Sequence, residues 1–149
     1  MTIERGYGDL LAAEVDALVN AVNTVGVMGK GLALQFKNAF PDVFTEYARA
    51  CEQGLVEVGR VHVVRRSSPP RFVINFPTKK HWRQPSKLEY IDSGLADLVV
   101  KIRQHDIRSI AVPSLGCGLG GLDWGEVKPR IVRALGELDG VRVLLYEPV

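Results

Sequence analysis

Glycines cluster in two short stretches that could do chemistry: GVMGKG, from Gly26 to Gly31, and GCGLGG, from Gly116 to Gly121. Glycine accepts positive φ and lets a ligand approach the main chain closely. Consecutive amides in such a loop can converge on phosphate oxygens, aided by the positive end of a following helix. Two such loops match the two phosphates of a diphosphate; for either loop alone, a tight turn without a ligand is the alternative. Asn20 and Asn23 precede the first loop. A buried asparagine must be hydrogen-bonded, either to a ligand or within a structural network.

Spacing separates the phosphate motifs. The pattern GxxxxGK[ST] fails, because Leu32 and Ala33 follow Gly31. GxGxxG matches at Gly116, Gly118 and Gly121, with Glu147 closing the next strand as a candidate ribose-binding acid, so nicotinamide-dependent redox chemistry stays open. It would need a dinucleotide unit that begins near the C-terminus with most of its sheet upstream.

Charge distribution adds a second clue. The chain carries a net charge of only +2, yet between Val58 and Leu88 it places eight Lys and Arg residues and no Asp or Glu. That segment is either a solvated basic face or a surface for a polyanion. Trp82, between His81 and Arg83, favours nucleic acid, because an indole beside cations can stack on an unpaired base. Cys51 and Cys117 show no CxxC or Cys/His pattern, so reduced thiols are expected, without a disulfide scaffold or metal site. No histidine motif supports Cys117 as a nucleophile, and His62 and His105 read as structural or exposed. No stretch approaches the ~20 apolar residues of a membrane helix, and a cytoplasmic protein without membrane contact is expected.

The elements that must position these residues alternate. At 149 residues and 46% hydrophobic, the chain suits one domain over 1–149. Apolar runs read as strands at DALVN (Asp16 to Asn20), GRVHVV (Gly59 to Val64), RFVINF (Arg71 to Phe76), SIAVPSL (Ser109 to Leu115) and VRVLLYE (Val141 to Glu147). SSPP (Ser67 to Pro70) reads as a turn. Ser86 with Glu89, and Asp123 with Glu126, form capping-box patterns ahead of apolar residues spaced three or four apart, and Pro41 suits a first helical turn. The expected architecture is layered α/β, with ligands at the carboxyl ends of the strands.

The motifs GYGDLL (Gly6 to Leu11), VNAVN (Val19 to Asn23), MGKGLALQFK (Met28 to Lys37), FPTKKHWR (Phe76 to Arg83) and PSLGCGLGGLDW (Pro113 to Trp124) occur in this order across nearly the whole chain. Together they resemble a macrodomain, within it the branch of bacterial DNA ADP-ribosyl glycohydrolase antitoxins (DarG-type), akin to the terminal ADP-ribose protein glycohydrolase macrodomain. The resemblance implies a three-layer α/β/α fold with a central mixed sheet and a site for ADP-ribose. On the matching positions, Asp9 would accept from the adenine amino group beside the Leu10 backbone, or cap a turn, and Tyr146 would stack near adenine, or serve the core. Asn23 would hold the distal ribose while Asn20 braces the loop. Gly29, Lys30 and Gly31 would line that ribose, and Met28 and Thr78 would also belong to the ADP-ribose site. Ser114, Gly116, Cys117, Gly118, Leu119 and Gly120 would cradle the diphosphate.

By the same resemblance, catalysis falls to the lysine of a Thr-Lys pair, Lys79, with Lys80 as the rival. Neighbouring side chains on an extended segment point to opposite sides, so one of the two enters the pocket. Partial burial or a nearby cation would lower the amine's pKa from ~10.4 and expose a nucleophilic lone pair; a protonated lysine donating to the leaving base is the alternative. Gly120 stands where the protein-directed relative has an aspartate, which favours the DNA-directed branch. The implied reaction removes ADP-ribose from thymidine in single-stranded DNA, with His81, Trp82 and Arg83 on the strand. The implied partner is a cognate DNA ADP-ribosyltransferase toxin met through a further C-terminal region, and no cofactor is implied. A monomer is expected. A reader that binds ADP-ribose without hydrolysis, and a hydrolase of ADP-ribosylated protein, are the competing functions.

Overall fold

The computed structural model describes residues 2–148. Six strands, β1 (Thr2–Arg5), β2 (Ala17–Val22), β3 (His62–Arg65), β4 (Phe72–Pro77), β5 (Ser109–Val112) and β6 (Arg142–Leu145), form one sheet in the order β1-β6-β5-β2-β4-β3. Every neighbouring pair is parallel except β3 with β4, which a hairpin makes antiparallel. The sheet is therefore mixed, as expected. Strand β1 was not anticipated: TIER is short and offers a single aliphatic residue, Ile3, to reveal the alternation of a strand.

Alternation along the strands builds two cores. Ala17, Val19, Phe72, Ile74, Phe76, Ile110, Val112, Val143 and Leu145 pack on one face against helices α3 (Leu88–Gln104) and α4 (Trp124–Leu135). The residues between them, Leu18, Val73 and Ala111, face α1 (Gly31–Ala39), α2 (Pro41–Glu52) and a 3₁₀ turn at Leu10–Ala12. Helices cover both faces, giving three layers, and each fully buried large apolar side chain contributes about 1.5–3 kcal/mol. Pro41 ends α1 and starts α2, because the residue before a proline, here Phe40 at φ −132 and ψ 74, is kept out of the helical region.

The capping-box reading needs correction. Lys87, not Ser86, occupies the N-cap of α3, and it makes no side-chain cap bond. Ser86 is drawn away by a tertiary contact, its amide donating to the Gly120 carbonyl at 3.0 Å. Asp123 does hold the N-cap of α4, but only its backbone carbonyl accepts there, from the amides of Glu126 and Val127 at 3.0 and 3.1 Å.

Candidate active site

Chain direction opens the site. From β2 the chain passes to α1 on one face of the sheet, while from its neighbour β5 it passes to α4 on the other. Segments leaving adjacent parallel strands toward opposite faces part and leave a crevice at the strands' carboxyl ends. The crevice here is a cleft of about 690 Å³, and both glycine loops line it.

The first wall is braced by side chains. Asn23 Oδ1 accepts from the amides of Val25 (3.0 Å) and Val27 (3.4 Å) and from the Tyr47 hydroxyl (2.7 Å), and Asn23 Nδ2 donates to the Val27 carbonyl (2.8 Å). These donors fix the amide's orientation and leave Nδ2 one further hydrogen, on a residue that lines the cleft. Beyond it α1 begins without a side-chain cap, and Gly31 adopts φ +58 at its entry. Gly31, Leu32 and Ala33 line the cleft. The orphan amides of that first turn thus face a ligand space with the positive end of the helix behind them.

The second wall is main chain. Turn bonds from Cys117 N to Ser114 O, Gly121 N to Gly118 O and Leu122 N to Gly116 O close the loop. Among the described residues, no backbone or side-chain acceptor takes the amides of Gly118, Leu119 or Gly120. Ser86 packs behind Gly120 so closely that a Cβ there would collide with the Ser86 hydroxyl and the Gly116 carbonyl, so only glycine fits. The Ser86 hydroxyl itself is buried without a partner.

Lys79 joins the walls. Its Nζ donates to the Leu119 carbonyl at 3.2 Å and the Trp82 carbonyl at 3.3 Å. Both contacts favour the ammonium, but they are long, and desolvation by burial prevails and lowers the amine's pKa from 10.5. Lys80 points elsewhere: its ammonium lies 6.0 Å from the Tyr90 ring centroid, while its carbonyl accepts from Thr24 Oγ1 at 2.7 Å. The alternation expected of the pair holds, with Lys79 as the cleft residue.

Of the residues marked in the sequence, Asn23, Gly29, Lys30, Gly31, Thr78, Lys79, Trp82, Arg83, Ser114, Gly116, Gly118, Leu119 and Gly120 line the cleft. Asp9, Leu10, Asn20, Met28, Lys80, His81, Cys117 and Tyr146 lie outside its lining. Asp9 Oδ1 caps the 3₁₀ turn by accepting from Leu11 N at 3.0 Å. Tyr146 lies over Gly6 at the same end of the sheet, its hydroxyl pKa raised by burial and by nearby Asp9. Met28 is turned into the core, against Asn20 Nδ2 at 3.9 Å. Asn20 also donates to Asn75 Oδ1 at 3.3 Å, and Asn75 Nδ2 meets His62 Nδ1 at 3.2 Å, a buried polar row across β2, β4 and β3. Burial lowers the His62 pKa. The Cys117 thiol, raised to about 11 by burial, contacts the Leu115 carbonyl at 3.5 Å. Glu147, the ribose-acid candidate of the redox reading, is engaged by Arg5, Lys128 and Trp124.

Sequence reasoning gave no role to the apolar lining, Ala21, Val22, Val27, Leu32, Ala33 and Pro113, although each stands inside one of the quoted motifs. It also missed Thr24, Tyr47 and Ser86 as the residues that fix the loops.

A mixed sheet between helical layers, with two amide-lined loops on a cleft at its carboxyl edge, defines a three-layer α/β/α domain. The chain belongs to the macrodomain family: the Macro domain profile matches residues 19–131. A curated relative from Thermus aquaticus named DNA ADP-ribosyl glycohydrolase is 60% identical over 144 residues, covering 95% of this chain and 40% of its own length. The solved macrodomain of Mycobacterium tuberculosis DarG superposes with a TM-score of 0.97 at 53% identity, covering 99% of both chains. Thermosipho africanus DarTG, solved in complex with ADP-ribose, superposes with a TM-score of 0.94 at 38% identity, covering 99% of this chain and 42% of that one. The chain thus spans about two fifths of the length of the curated relative it matches.

Proposed function

We propose that this chain is a glycohydrolase domain that removes ADP-ribose from modified thymidine in single-stranded DNA, as the antitoxin activity opposing a DNA ADP-ribosyltransferase. Lys79 carries the reading: an amine with lowered pKa, held by the carbonyls of Leu119 and Trp82 over a cleft whose walls present free amides. Among the lining residues the charged ones are Lys30, Lys79 and Arg83, with no carboxylate to act as general base. The diphosphate takes the amides of Gly118, Leu119 and Gly120 and the first turn of α1. The distal ribose meets Asn23 and Gly29, which brings its anomeric carbon to Lys79. In the neutral form Lys79 attacks that carbon; the bond to the base nitrogen breaks, the base leaves with the electron pair and takes the proton that the newly alkylated lysine nitrogen sheds, and water then displaces the lysine, returning it as a neutral amine. Release of bound ADP-ribose completes the cycle, without metal or cofactor. The domain acts as a cytoplasmic monomer, and a longer protein would add the surface that meets the toxin.

The test incubates the protein and its Lys79→Ala and Lys80→Ala variants with an oligonucleotide carrying ADP-ribosylated thymidine and follows the unmodified strand by mass. Turnover by the unchanged protein and by Lys80→Ala, lost in Lys79→Ala by a factor of about 10²–10⁴, is expected. Binding of ADP-ribose with no turnover by any form makes the domain a reader instead. Equal release from ADP-ribosylated protein removes the DNA-directed part.

A further inference from the structure

We propose that Lys80, Lys87 and Tyr90 form a second nucleic-acid subsite, outside the cleft, for the unpaired strand that flanks the modified nucleotide. The ammoniums meet its backbone phosphate, and the ring offers a stacking face to a neighbouring base. The inference rests on the DNA-directed reading above and extends it to residues that lie beyond the ADP-ribose cleft.

The geometry points there in three ways. The Nζ atoms of Lys80 and Lys87 lie 6.0 and 5.6 Å from the centroid of the same ring, that of Tyr90 in the first turn of α3. Two cations beside one aromatic leave a local excess of positive charge that an anion offsets. Among the described residues neither lysine has a carboxylate within 4.0 Å, although Glu89 stands in the same turn. The patch is also tied to the cleft on both sides. The Lys80 carbonyl accepts from Thr24, which leads into the first loop, and the amide of Ser86, next to Lys87, donates to Gly120 of the second.

Between patch and cleft the surface repeats the same chemistry. Arg83 Cζ lies 4.5 Å from the Trp82 ring centroid, and the His81 ring lies 5.1 Å from it. Trp82 is 43% exposed and, with Arg83, lines the cleft. Aromatics alternating with unpaired cations form a track for single-stranded nucleic acid: bases stack without regard to sequence while the cations follow the phosphates. The strip leads from the bond to be broken toward the start of α3, which gives the strand a direction of exit.

The test measures fluorescence anisotropy of an unmodified, end-labelled single-stranded oligonucleotide across a salt series. The unchanged protein is compared with Lys80→Ala/Lys87→Ala, Tyr90→Leu and a charge-matched Arg103→Ala/Arg133→Ala control at the far ends of α3 and α4. The double lysine variant is expected to bind about tenfold more weakly and to flatten the slope of log affinity against log salt by about 1–2. Tyr90→Leu is expected to lose roughly 5-fold or more without changing that slope. The control is expected to bind as the unchanged protein does. The proposal is overturned if the unchanged protein does not bind the strand, if the lysine variant binds as it does, if the control loses as much, or if a polyglutamate peptide competes as well as the strand. Binding with these dependences by a protein that releases no ADP-ribose from DNA would sink the proposed function and leave the subsite standing.

Discussion

At the amino ends of the strands, four arginines have acids beside them; around the cleft at the carboxyl ends, the cations have none. Arg71 pairs with Asp16 at 3.7 Å, Arg66 with Asp42 at 3.0 Å, Arg108 with Asp106 at 2.8 Å and Arg142 with Glu4 at 2.7 Å. Arg65 at that end stacks on Phe72 instead. At the other end Lys30, Lys79, Lys80, Arg83 and Lys87 have no ion-pair partner among the described residues, while Arg5 and Lys128 share Glu147 along the β6 side. A paired charge is largely cancelled a few ångströms away, whereas unpaired cations around a concave, low-dielectric wall sum into a field that draws and holds an anion. The difference teaches that this domain's small net charge conceals a polarised molecule, with acid-paired arginines at one pole and acid-free cations around the cleft at the other.

The largest expected effect lies on Lys79. If the carboxyl pole supplies a neutral amine, the rate of ADP-ribose release climbs about tenfold per pH unit and levels off at an inflection below 10.5, the ordinary value from which burial has moved it. Lys79→Ala removes that limb. A stopped-time assay over a pH series checks this, and a rate that falls with rising pH would instead make Lys79 a proton donor.

Next come the two walls of that pole. A Cβ at Gly120 collides with Ser86 and the Gly116 carbonyl, whereas one at Gly29 meets only Val27 Cγ1 at 3.4 Å. Overpacking costs about 1–3 kcal/mol of stability, so Gly120→Ala is expected to lower the urea-unfolding free energy by that much and, by displacing the loop, to weaken ADP-ribose binding in calorimetry more than Gly29→Ala does. Adding Ser86→Gly to Gly120→Ala should recover part of the loss. Equal losses at the two glycines would erase the distinction between a main-chain wall and a braced one. A smaller effect separates the poles directly. Arg83→Ala should lower the salt slope of oligonucleotide binding by about 1, while Arg71→Ala leaves it unchanged.

The sequence made much of this legible, for identifiable reasons. Long apolar runs such as RFVINF appear as fully buried strands of the sheet, and the two glycine stretches stand on the cleft because their spacing has few other uses. Alternation said that one of Lys79 and Lys80 enters the cleft; which one depends on the twist and end of β4, which no local pattern encodes. The basic segment was legible as a run and misleading as a surface. The β3–β4 hairpin sends Arg65, Arg66 and Arg71 to the opposite end from Lys79, Arg83 and Lys87. Ser86 looked like a cap because capping boxes are local, but its amide is claimed by Gly120, a partner that exists only once the chain has folded.

The smallest effect tests the neutralised pole. Arg66, 10% exposed, donates Nε to Asp42 Oδ2, and this contact holds the Asp42 carboxyl below its ordinary 3.8. Because the folded-state pKa is the lower one, the pair's contribution is present above about pH 4 and is lost as pH falls through the folded value. Asp42 is half-exposed, so solvent screens the pair and its worth is at most about 1 kcal/mol. Asp42→Asn should therefore lower the midpoint of urea unfolding slightly at pH 7, with the difference from the unchanged protein shrinking as pH falls below 3.8, and should leave ADP-ribose release at pH 7 untouched. A loss of release would mean that charge at the amino ends is felt at the cleft, and the two poles could no longer be treated as separate.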